Sequence, residues 1–257
     1  DEAFLYRKFT IFYVRKLSYN LNNNLVEPYF QAIMDNRTLE IVKYEALMRI
    51  FDKNGNILMP NIFIHKAKKC RLYTKLMEIL FDKIIIYILK DNIHVSINLD
   101  YIDILNPQIK KSLISKIKEY EIGSFLTFEI LESEKVSNFN MVNDFIKEVK
   151  KYGVKIAIDD FGTGFSNYEN ILNLDIDYIK IDGSLIKKID EDIYLNLIKS
   201  IVLFAKQQNI KIVAEFVSDL KTLRYIRNIG IDFSQGYHIG KPMNINELLG
   251  IEDEKRA

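Results

Sequence analysis

The chain has 257 residues, of which 48% are hydrophobic, and carries 36 basic against 35 acidic side chains. That length and apolar content favour a single domain with one large core. The net charge of +1 excludes the broad basic field with which proteins hold nucleic-acid polymers. The single cysteine, Cys70, excludes an internal disulfide and a cysteine-based zinc site, which favours the cytoplasm.

Two segments bear on membranes and domain organisation. The apolar stretch Ile79–Leu89 is interrupted by Asp82 and Lys83, so it is too short to cross a bilayer and fits a buried helix. Residues 1–17 are amphipathic and are predicted to be a linker helix from a longer protein with an upstream regulatory region. The domain itself is predicted over residues 18–257, in the cytoplasm, either free or as the cytoplasmic part of a membrane-anchored protein.

Short β-type runs alternate with helical periodicity along the chain. Eight strands are predicted, at Pro28–Met34, Val42–Arg49, Val95–Leu99, Leu126–Leu131, Lys155–Asp159, Tyr178–Asp182, Ile212–Val217 and Phe233–His238. Helices are predicted at Asn61–Lys69, Tyr73–Lys90, Pro107–Tyr120, Asn138–Tyr152, Asn167–Leu172, Asp190–Gln208 and Asp219–Asn228.

This order of elements predicts a closed β/α barrel. The first two strands are separated only by the segment DNRTLE, which is too short for a crossover helix, so these strands should pair antiparallel. The remaining strands should run parallel. The predicted fold is therefore of the α/β class, a modified TIM-type (β/α)8 barrel with one antiparallel strand.

Side-chain alternation along the strands places polar residues toward the barrel axis. Lys180 and Asp182 share one face of their strand, as do Glu45, Leu47 and Arg49 of another. Because barrels of this type carry their active sites at the carboxyl ends of the strands, polar residues there indicate chemistry. Acidic or amide side chains recur at the ends of seven strands, namely Glu45, Asn98, Glu129, Asp159 with Asp160, Asp182, Glu215 and Gln235.

An oxygen-only set of this kind suits Mg²⁺ or Mn²⁺. A pair of such ions, roughly 3.5–4 Å apart, is the usual clamp for in-line displacement at a phosphodiester. Asp159 and Asp160 cannot both face inward on a regular strand, so the strand is expected to end there and turn. Any single acid would ordinarily be a solvated or helix-capping residue, and the prediction depends on their number.

Two features of the sequence each allow two interpretations. Lys180 is either an ion-pair partner for Asp182 or Glu215, or a residue that positions or deprotonates the attacking water with a pKa lowered by burial near metal ions. The loop Asp159–Tyr168 is either an ordinary turn in which Ser166 or Asn167 caps the next helix, or a glycine-containing segment that closes over the metals.

Seven ordered motifs carry a resemblance to a known family. They are YEALMR (44–49), VSINL (95–99), FEILES (128–133), IDDFGTGFSNY (158–168), DYIKID (177–182), VAEFV (213–217) and QGYHIGKP (235–242). Over about residues 18–246 the chain resembles the EAL-domain family of bacterial cyclic di-GMP phosphodiesterases, enzymes that open this cyclic dinucleotide to linear 5′-pGpG.

The resemblance implies roles for individual residues. The metal ligands would be Glu45, Asn98, Glu129, Asp159 and Asp160, with Asp182 either a further ligand or a substrate contact. Lys180, Glu215, Gln235 and Asp160 would organise the attacking water, and Glu132 would anchor the glycine loop. Substrate would contact Gln31, Leu47, Arg49, Asp182 and Gln235. The family also implies a homodimer, to which apolar residues of Tyr178–Ile189 would contribute unless they form barrel core.

The chain departs from the family pattern around these residues. Leu131 stands where the family has threonine, and Phe216 and Ser218 stand where it has glycine and glutamate. No matched metal ligand is lost, which favours the enzyme. The alternatives are a catalytically weak or inactive module that acts as a cyclic di-GMP receptor or binds a partner protein, and a barrel enzyme for another phosphate substrate.

Overall fold

A computed structural model of the chain describes residues 25–52, 54–69, 72–131, 139–162 and 172–250. The predicted linker helix at residues 1–17 lies outside these residues, as does the predicted helix Asn167–Leu172 apart from its last residue. The proposed capping residues Ser166 and Asn167 are also outside them.

The described strands form one sheet that closes into a barrel. Eight strands follow the order β1, β9, β8, β7, β6, β5, β4, β2, and β1 pairs back with β2. A short ninth strand, β3, which the sequence pattern did not predict, pairs antiparallel with the last two residues of β2. The strands are β1 (Val26–Asp35), β2 (Ile41–Phe51), β3 (Ile57–Leu58), β4 (Val95–Leu99), β5 (Leu126–Leu131), β6 (Lys155–Phe161), β7 (Tyr178–Ile181), β8 (Lys211–Ala214) and β9 (Phe233–Gln235).

Helices connect the barrel strands in the manner of a β/α barrel. They are α1 (Pro60–Lys69), α2 (Tyr73–Asp91), α3 (Tyr101–Leu105), α4 (Pro107–Tyr120), α5 (Phe139–Lys150), α6 (Gly183–Ile186), α7 (Asp192–Gln207), α8 (Leu220–Asn228) and α9 (Ile245–Leu249). The predicted fold class is therefore confirmed. None of the helices in the described ranges is long and apolar enough to cross a membrane. The stretch Ile79–Leu89 lies within α2, whose residues Leu80, Phe81, Ile84 and Ile85 are buried in the core.

The antiparallel pairing of the first strands follows from a tight turn. The Asp35 carboxylate accepts hydrogen bonds from the backbone N–H of Arg37 at 2.7 Å and of Thr38 at 3.0 Å. The Asp35 N–H donates to the carbonyl of Glu40 at 2.9 Å. This turn reverses the chain, so β1 runs antiparallel to both β2 and β9. The other neighbouring barrel strands are parallel.

Alternation along the strands separates an apolar layer from a polar interior. In β7, Ile179 and Ile181 belong to the hydrophobic core, whereas Lys180 between them points to the barrel axis and is also buried. Phe128 of β5 and Phe145 of α5 stack with ring centroids 5.9 Å apart, which joins the sheet to the helical layer. Burying each such large apolar side chain contributes roughly 1.5–3 kcal/mol to stability.

Two aspartates fix neighbouring strands at their amino ends. Asp177, just before β7, accepts a hydrogen bond from the N–H of Ile156 at 2.9 Å. Asp232, just before β9, accepts one from the N–H of Ile212 at 3.0 Å. Each carboxylate also binds a lysine of the preceding strand, Lys155 at 2.9 Å or Lys211 at 2.8 Å. The arrangement sets the strand register and so the height of the residues at the carboxyl ends.

Three strands end earlier than predicted because of their local backbone. β7 stops before Asp182, which instead caps α6 by accepting a 2.8 Å hydrogen bond from the N–H of Ser184. β8 stops at Ala214, and Phe216 beyond it has a left-handed φ of 53°. β9 stops before Gly236, where an added Cβ would lie 2.3 Å from the backbone nitrogen of Val217. Only glycine allows that close approach.

Candidate active site

The polar residues at the carboxyl ends of the strands converge inside the barrel mouth. Glu45, Glu129, Asp159, Lys180 and Gln235 are all buried, and Lys180 and Glu129 are each only 1% exposed. They come from five different strands, and Asn98 of β4 and Glu215, directly after β8, complete the group. The structure therefore brings Lys180 together with acidic and amide residues that were predicted at the carboxyl ends of the strands.

Lys180 lies at the centre of this group. Its ammonium Nζ is 2.6 Å from Glu129, 2.8 Å from Glu215, 3.0 Å from Asp159 and 3.4 Å from Glu45. Of the two ion-pair partners considered from the sequence, Glu215 is therefore in contact. Asp182, which caps α6, is not among the carboxylates that contact the lysine in the described part of the chain.

Glu45 is held by two amides, one to each carboxylate oxygen. Asn98 Nδ2 donates to Oε1 at 2.6 Å, and Gln235 Nε2 donates to Oε2 at 2.6 Å. Gln235 Nε2 also lies 3.2 Å from Gln31 Oε1, and Gln31 Nε2 donates to the carbonyl of Gly240 at 3.1 Å. The chain of hydrogen bonds fixes the orientation of Glu45 from both sides and links it to Gln31.

The electrostatic environment gives the buried carboxyl groups different pKa values. Burial raises the pKa of Glu129 to about 7 and that of Glu215 to about 8, although Lys180 opposes both shifts. Burial would also raise the pKa of Glu45, but the Lys180 ammonium and the two amide hydrogen bonds lower it overall. These carboxyl groups therefore hold protons to different extents near neutral pH.

The pKa of Lys180 in the metal-free site is raised, whereas the sequence-based expectation was a pKa lowered by burial near metal ions. Burial would lower the pKa of Lys180, but the carboxylates of Glu129, Glu45, Glu215 and Asp159 together raise it well above its usual value. Lys180 is thus a fixed positive charge in this arrangement. It can donate hydrogen bonds and position a water molecule, and it is not a proton acceptor.

Asp159 and Asp160 both face the site because β6 contains a bulge. The strand was expected to end at these residues, yet it continues to Phe161, and its pairing with β7 shifts between Ile158 and Phe161. Asp160 takes up the extra residue with a left-handed φ of 56°. A bulge of this kind lets consecutive side chains point to one side without ending the strand.

Oxygen ligands for a cation are concentrated next to this bulge. Asp159, Asp160 and Glu215 each place a carboxylate oxygen within 4.8 Å of the others. Within the described residues, Glu129 Oε1 and Asp159 Oδ1 are buried without a hydrogen-bond donor directed at them. Asp159 Oδ1 lies near Lys180, but the contact is an ion pair and not an aligned hydrogen bond. Unsatisfied buried carboxylate oxygens fit a hard cation such as Mg²⁺ or Mn²⁺.

A cleft of about 470 Å³ opens beside the carboxylates and is large enough for part of a dinucleotide. It brings together the predicted substrate-binding residues Gln31, Leu47, Arg49 and Gln235. Asp182 does not line it and lies at the start of α6. Glu132, the predicted loop anchor, lies outside the described residues.

Arg49 is placed to receive an anion in this cleft. Its guanidinium donates one hydrogen bond to the carbonyl of Met48 at 3.0 Å and lies 5.6 Å from the centroid of the Tyr29 ring. No carboxylate of the described residues forms an ion pair with it. The remaining N–H groups therefore suit a phosphate oxygen.

Several residues of the site were not singled out from the sequence. Lys187 and Tyr237 line the cleft, and so does Phe216, which was noted only as a departure. Lys43 lies buried inside the barrel with its Nζ 3.6 Å from the Tyr178 ring centroid, and burial lowers its pKa to about 8. Lys43 shares the strand face of Glu45, so side-chain alternation could have identified it.

Comparisons with known proteins agree with this geometry. The family model described as EAL domain matches residues 14–242. Cyclic di-GMP phosphodiesterase PdeA of Borreliella burgdorferi is 32% identical over 229 residues, which cover 86% of this chain and 34% of that protein. The chain spans less than half of the length of such curated relatives, from 28% to 47%.

Solved structures show the same fold. The structure of PaMucR phosphodiesterase in complex with c-di-GMP has a TM-score of 0.84 at 22% identity and covers 92% of this chain and 99% of that one. An EAL domain protein from Listeria monocytogenes has a TM-score of 0.82 at 25% identity, with coverage of 92% and 96%. The resemblance carried by the seven motifs is therefore confirmed, and the chain belongs to the EAL domain family.

Proposed function

We propose that this domain hydrolyses cyclic di-GMP to linear 5′-pGpG in a reaction that depends on Mg²⁺ or Mn²⁺. The observation that carries the proposal is the buried group of carboxylates around Lys180, with oxygen atoms that lack hydrogen-bond donors beside an open cleft. Membership of the EAL family, with relatives named cyclic di-GMP phosphodiesterases, supports the choice of substrate.

Glu45, Asn98, Glu129, Asp159 and Asp160 would hold the cations. Two cations would be bound, as the sequence predicted. Bound there, Mg²⁺ or Mn²⁺ would acidify a water molecule and stabilise the charge that develops on the phosphate. In the reaction, the water oxygen forms a bond to phosphorus, the bond from phosphorus to the ribose 3′-oxygen breaks, and the 3′-oxygen takes up a proton.

The remaining side chains act on water and substrate. Lys180 Nζ contacts four carboxylates in the metal-free site. Once Glu45, Glu129 and Asp159 bind cations, its N–H groups would be available to orient the attacking water. The carboxylate of Glu215, 2.8 Å from Lys180 Nζ, would hold that ammonium close to the reacting groups. Arg49 and Gln31 would bind substrate in the cleft, Arg49 through a phosphate oxygen.

The test is incubation of the purified domain with cyclic di-GMP and either Mg²⁺ or Mn²⁺, followed by chromatographic separation of the nucleotides. We expect pGpG with either ion and none in EDTA. The matched control is Glu45→Gln, which keeps the size of the side chain and the acceptor for Asn98 but removes the charge, and which should retain no more than a few per cent of the wild-type rate.

Binding of cyclic di-GMP without pGpG formation would overturn the proposal and favour a receptor module. Homodimer formation, a cytoplasmic location and an upstream regulatory region stay predictions. The segment Tyr178–Ile189 was predicted to contribute to the dimer unless its apolar residues form barrel core. Those residues are buried within the chain, namely Ile179, Ile181, Leu185, Ile186 and Ile189. Light scattering on the purified domain measures its oligomeric state.

A further inference from the structure

Phe216 combines three unusual features at the rim of the cleft. It has a left-handed backbone with a φ of 53°, a conformation that L-residues other than asparagine and aspartate rarely adopt. Its large apolar side chain is 54% exposed, so burial does little to offset that strain. It directly follows Glu215, and its side chain lines the substrate cleft. Backbone strain that is not offset by burial of the side chain is typical of functional positions.

The surroundings of Phe216 fix the position of the ring. The ring lies against Gly183, where an added Cβ would be 2.1 Å from Phe216 Cδ2, so glycine is required for the ring to lie there. The ammonium of Lys187, an exposed side chain, lies 4.2 Å from the ring centroid. An aromatic face that attracts a cation in this way is open to a planar π-system of another molecule.

We propose that the Phe216 ring is a stacking surface for one nucleobase of the cyclic dinucleotide. A base placed on the ring takes the place of the Lys187 ammonium, which then turns toward the phosphates of the same ligand. The substrate has two flat purines joined by anionic phosphates, and the cleft offers an exposed aromatic ring next to Arg49 and Lys187. The inference rests on the proposed function for the identity of the ligand.

The first test is Phe216→Gly, which removes the ring and relieves the left-handed strain. Stacking on an aromatic side chain contributes about tenfold or more in affinity per base, so KM for cyclic di-GMP should rise by about that factor. The kcat should change little, because stacking acts on bound substrate and transition state alike. The melting temperature should rise or stay constant. Phe216→Trp should keep the wild-type KM, whereas Phe216→Leu should not.

The matched control is Leu39→Gly. Leu39 has a φ of 64° and is 50% exposed, like Phe216, but it lies in the turn between β1 and β2, at the barrel end opposite the cleft. Leu39→Gly should give a similar change in melting temperature with no change in KM. Because both variants replace an exposed, left-handed apolar residue by glycine, they separate loss of stacking from loss of strain.

A second, independent test moves the ring without deleting it. Gly183→Ala should displace the Phe216 ring and raise KM, but in the Phe216→Gly background the same change should have no further effect. An unchanged KM in Phe216→Gly, with normal wild-type turnover, would overturn the inference. If the wild type forms no pGpG, the proposed function fails instead, and equilibrium binding of cyclic di-GMP to wild type and Phe216→Gly decides the inference. Equal binding, or none, would rule it out.

Discussion

One lysine faces four carboxylates at the base of the cleft. This excess of acidic over basic groups defines what Lys180 does. Its ammonium lies 2.6–3.4 Å from Glu129, Glu215, Asp159 and Glu45. With all four acids ionised the group would carry an excess of negative charge, which the raised pKa values of Glu129 and Glu215 partly relieve. The lysine therefore stabilises the metal-free fold and also presents a positive group to water.

Replacing Lys180 by methionine tests both effects. Removing one partner from a buried charge cluster typically costs about 3–5 kcal/mol, so the free energy of unfolding in EDTA should fall by about that amount. Saturating Mn²⁺ should recover part of the loss. In the presence of the metal, kcat should fall far more than KM changes. Urea denaturation and steady-state kinetics measure the two effects.

The control is Lys221→Met, which removes the exposed pair between Lys221 and Asp190, whose atoms are 3.0 Å apart. Exposed pairs contribute less than about 1 kcal/mol, so this variant should unfold like the wild type. Equal stability of Lys180→Met and wild type in EDTA would contradict a stabilising role for Lys180. A larger effect on KM than on kcat would make it a binding residue.

Strand alternation was sufficient to predict which side chains face the axis, but not what they contact. Glu45 and Lys180 were identified because polar residues alternated with apolar ones, and Gln235 because it is an amide at the end of a strand. The central position of Lys180 depends on distances across the barrel, and side-chain alternation within one strand does not determine those distances. Phe216 gave even less signal, since its importance comes from a backbone angle and from the missing Cβ at Gly183.

At the scale of elements, the bulge in β6 decides the geometry of the carboxylates. The adjacent acids Asp159 and Asp160 showed that regular alternation must break there, but two forms of irregularity were compatible with that pattern. The observed form keeps Phe161 paired to Ile181 and leaves Asp160 left-handed. Short elements were also hard to predict. The capping box of Asp100 and Asp103 is the signal in the sequence that marks the start of α3.

Substitutions at Asp160 separate its charge from its backbone role. Asp160→Asn and Asp160→Ala both remove the carboxylate, but asparagine tolerates a left-handed conformation, and alanine does so at a cost of about 1–2 kcal/mol. We expect Asp160→Ala to be less stable than Asp160→Asn by about that difference in denaturant titrations. Both variants should bind Mn²⁺ more weakly than the wild type. Equal stability of the two would mean that the bulge is not maintained.

For the whole molecule, proton and metal binding should compete in one window of pH. Glu129 and Glu215 have folded pKa values of about 7 and about 8, above the usual value of 4.5 for glutamate. The folded state therefore holds more protons than the unfolded state between about pH 4.5 and 8, and metal-free stability should fall as the pH rises through this range. Cation binding removes these protons, so metal affinity should rise over the same range.

The shift in melting temperature between Mn²⁺ and EDTA measures this competition. We expect the shift to increase from pH 6 to pH 8, and Glu215→Gln to weaken the increase because its amide does not titrate. A shift that is the same at every pH would show that Glu129 and Glu215 are already ionised in the metal-free protein. Scanning calorimetry at three pH values is sufficient.

The barrel as a whole was predictable because the lengths and order of the connections determine the direction of each strand. A connection of a few residues between the first two strands forces them antiparallel, and regular alternation of strands and helices requires the rest to be parallel. The exact ends of strands were not predictable, because single residues such as Asp182 and Gly236 stop them through caps and close backbone contacts.

The reversed direction of β1 has a consequence for where the chain enters the barrel. Val26 pairs with Ile50, and Glu27 pairs with Arg49, so the polypeptide enters the barrel at the rim that carries the cleft. After β9 it passes beside the same strand, where Phe30 and Met243 form a bridge. Residue 25 therefore joins the barrel at the rim that carries the cleft. A domain placed upstream in the chain would be linked to that rim and not to the opposite end of the barrel.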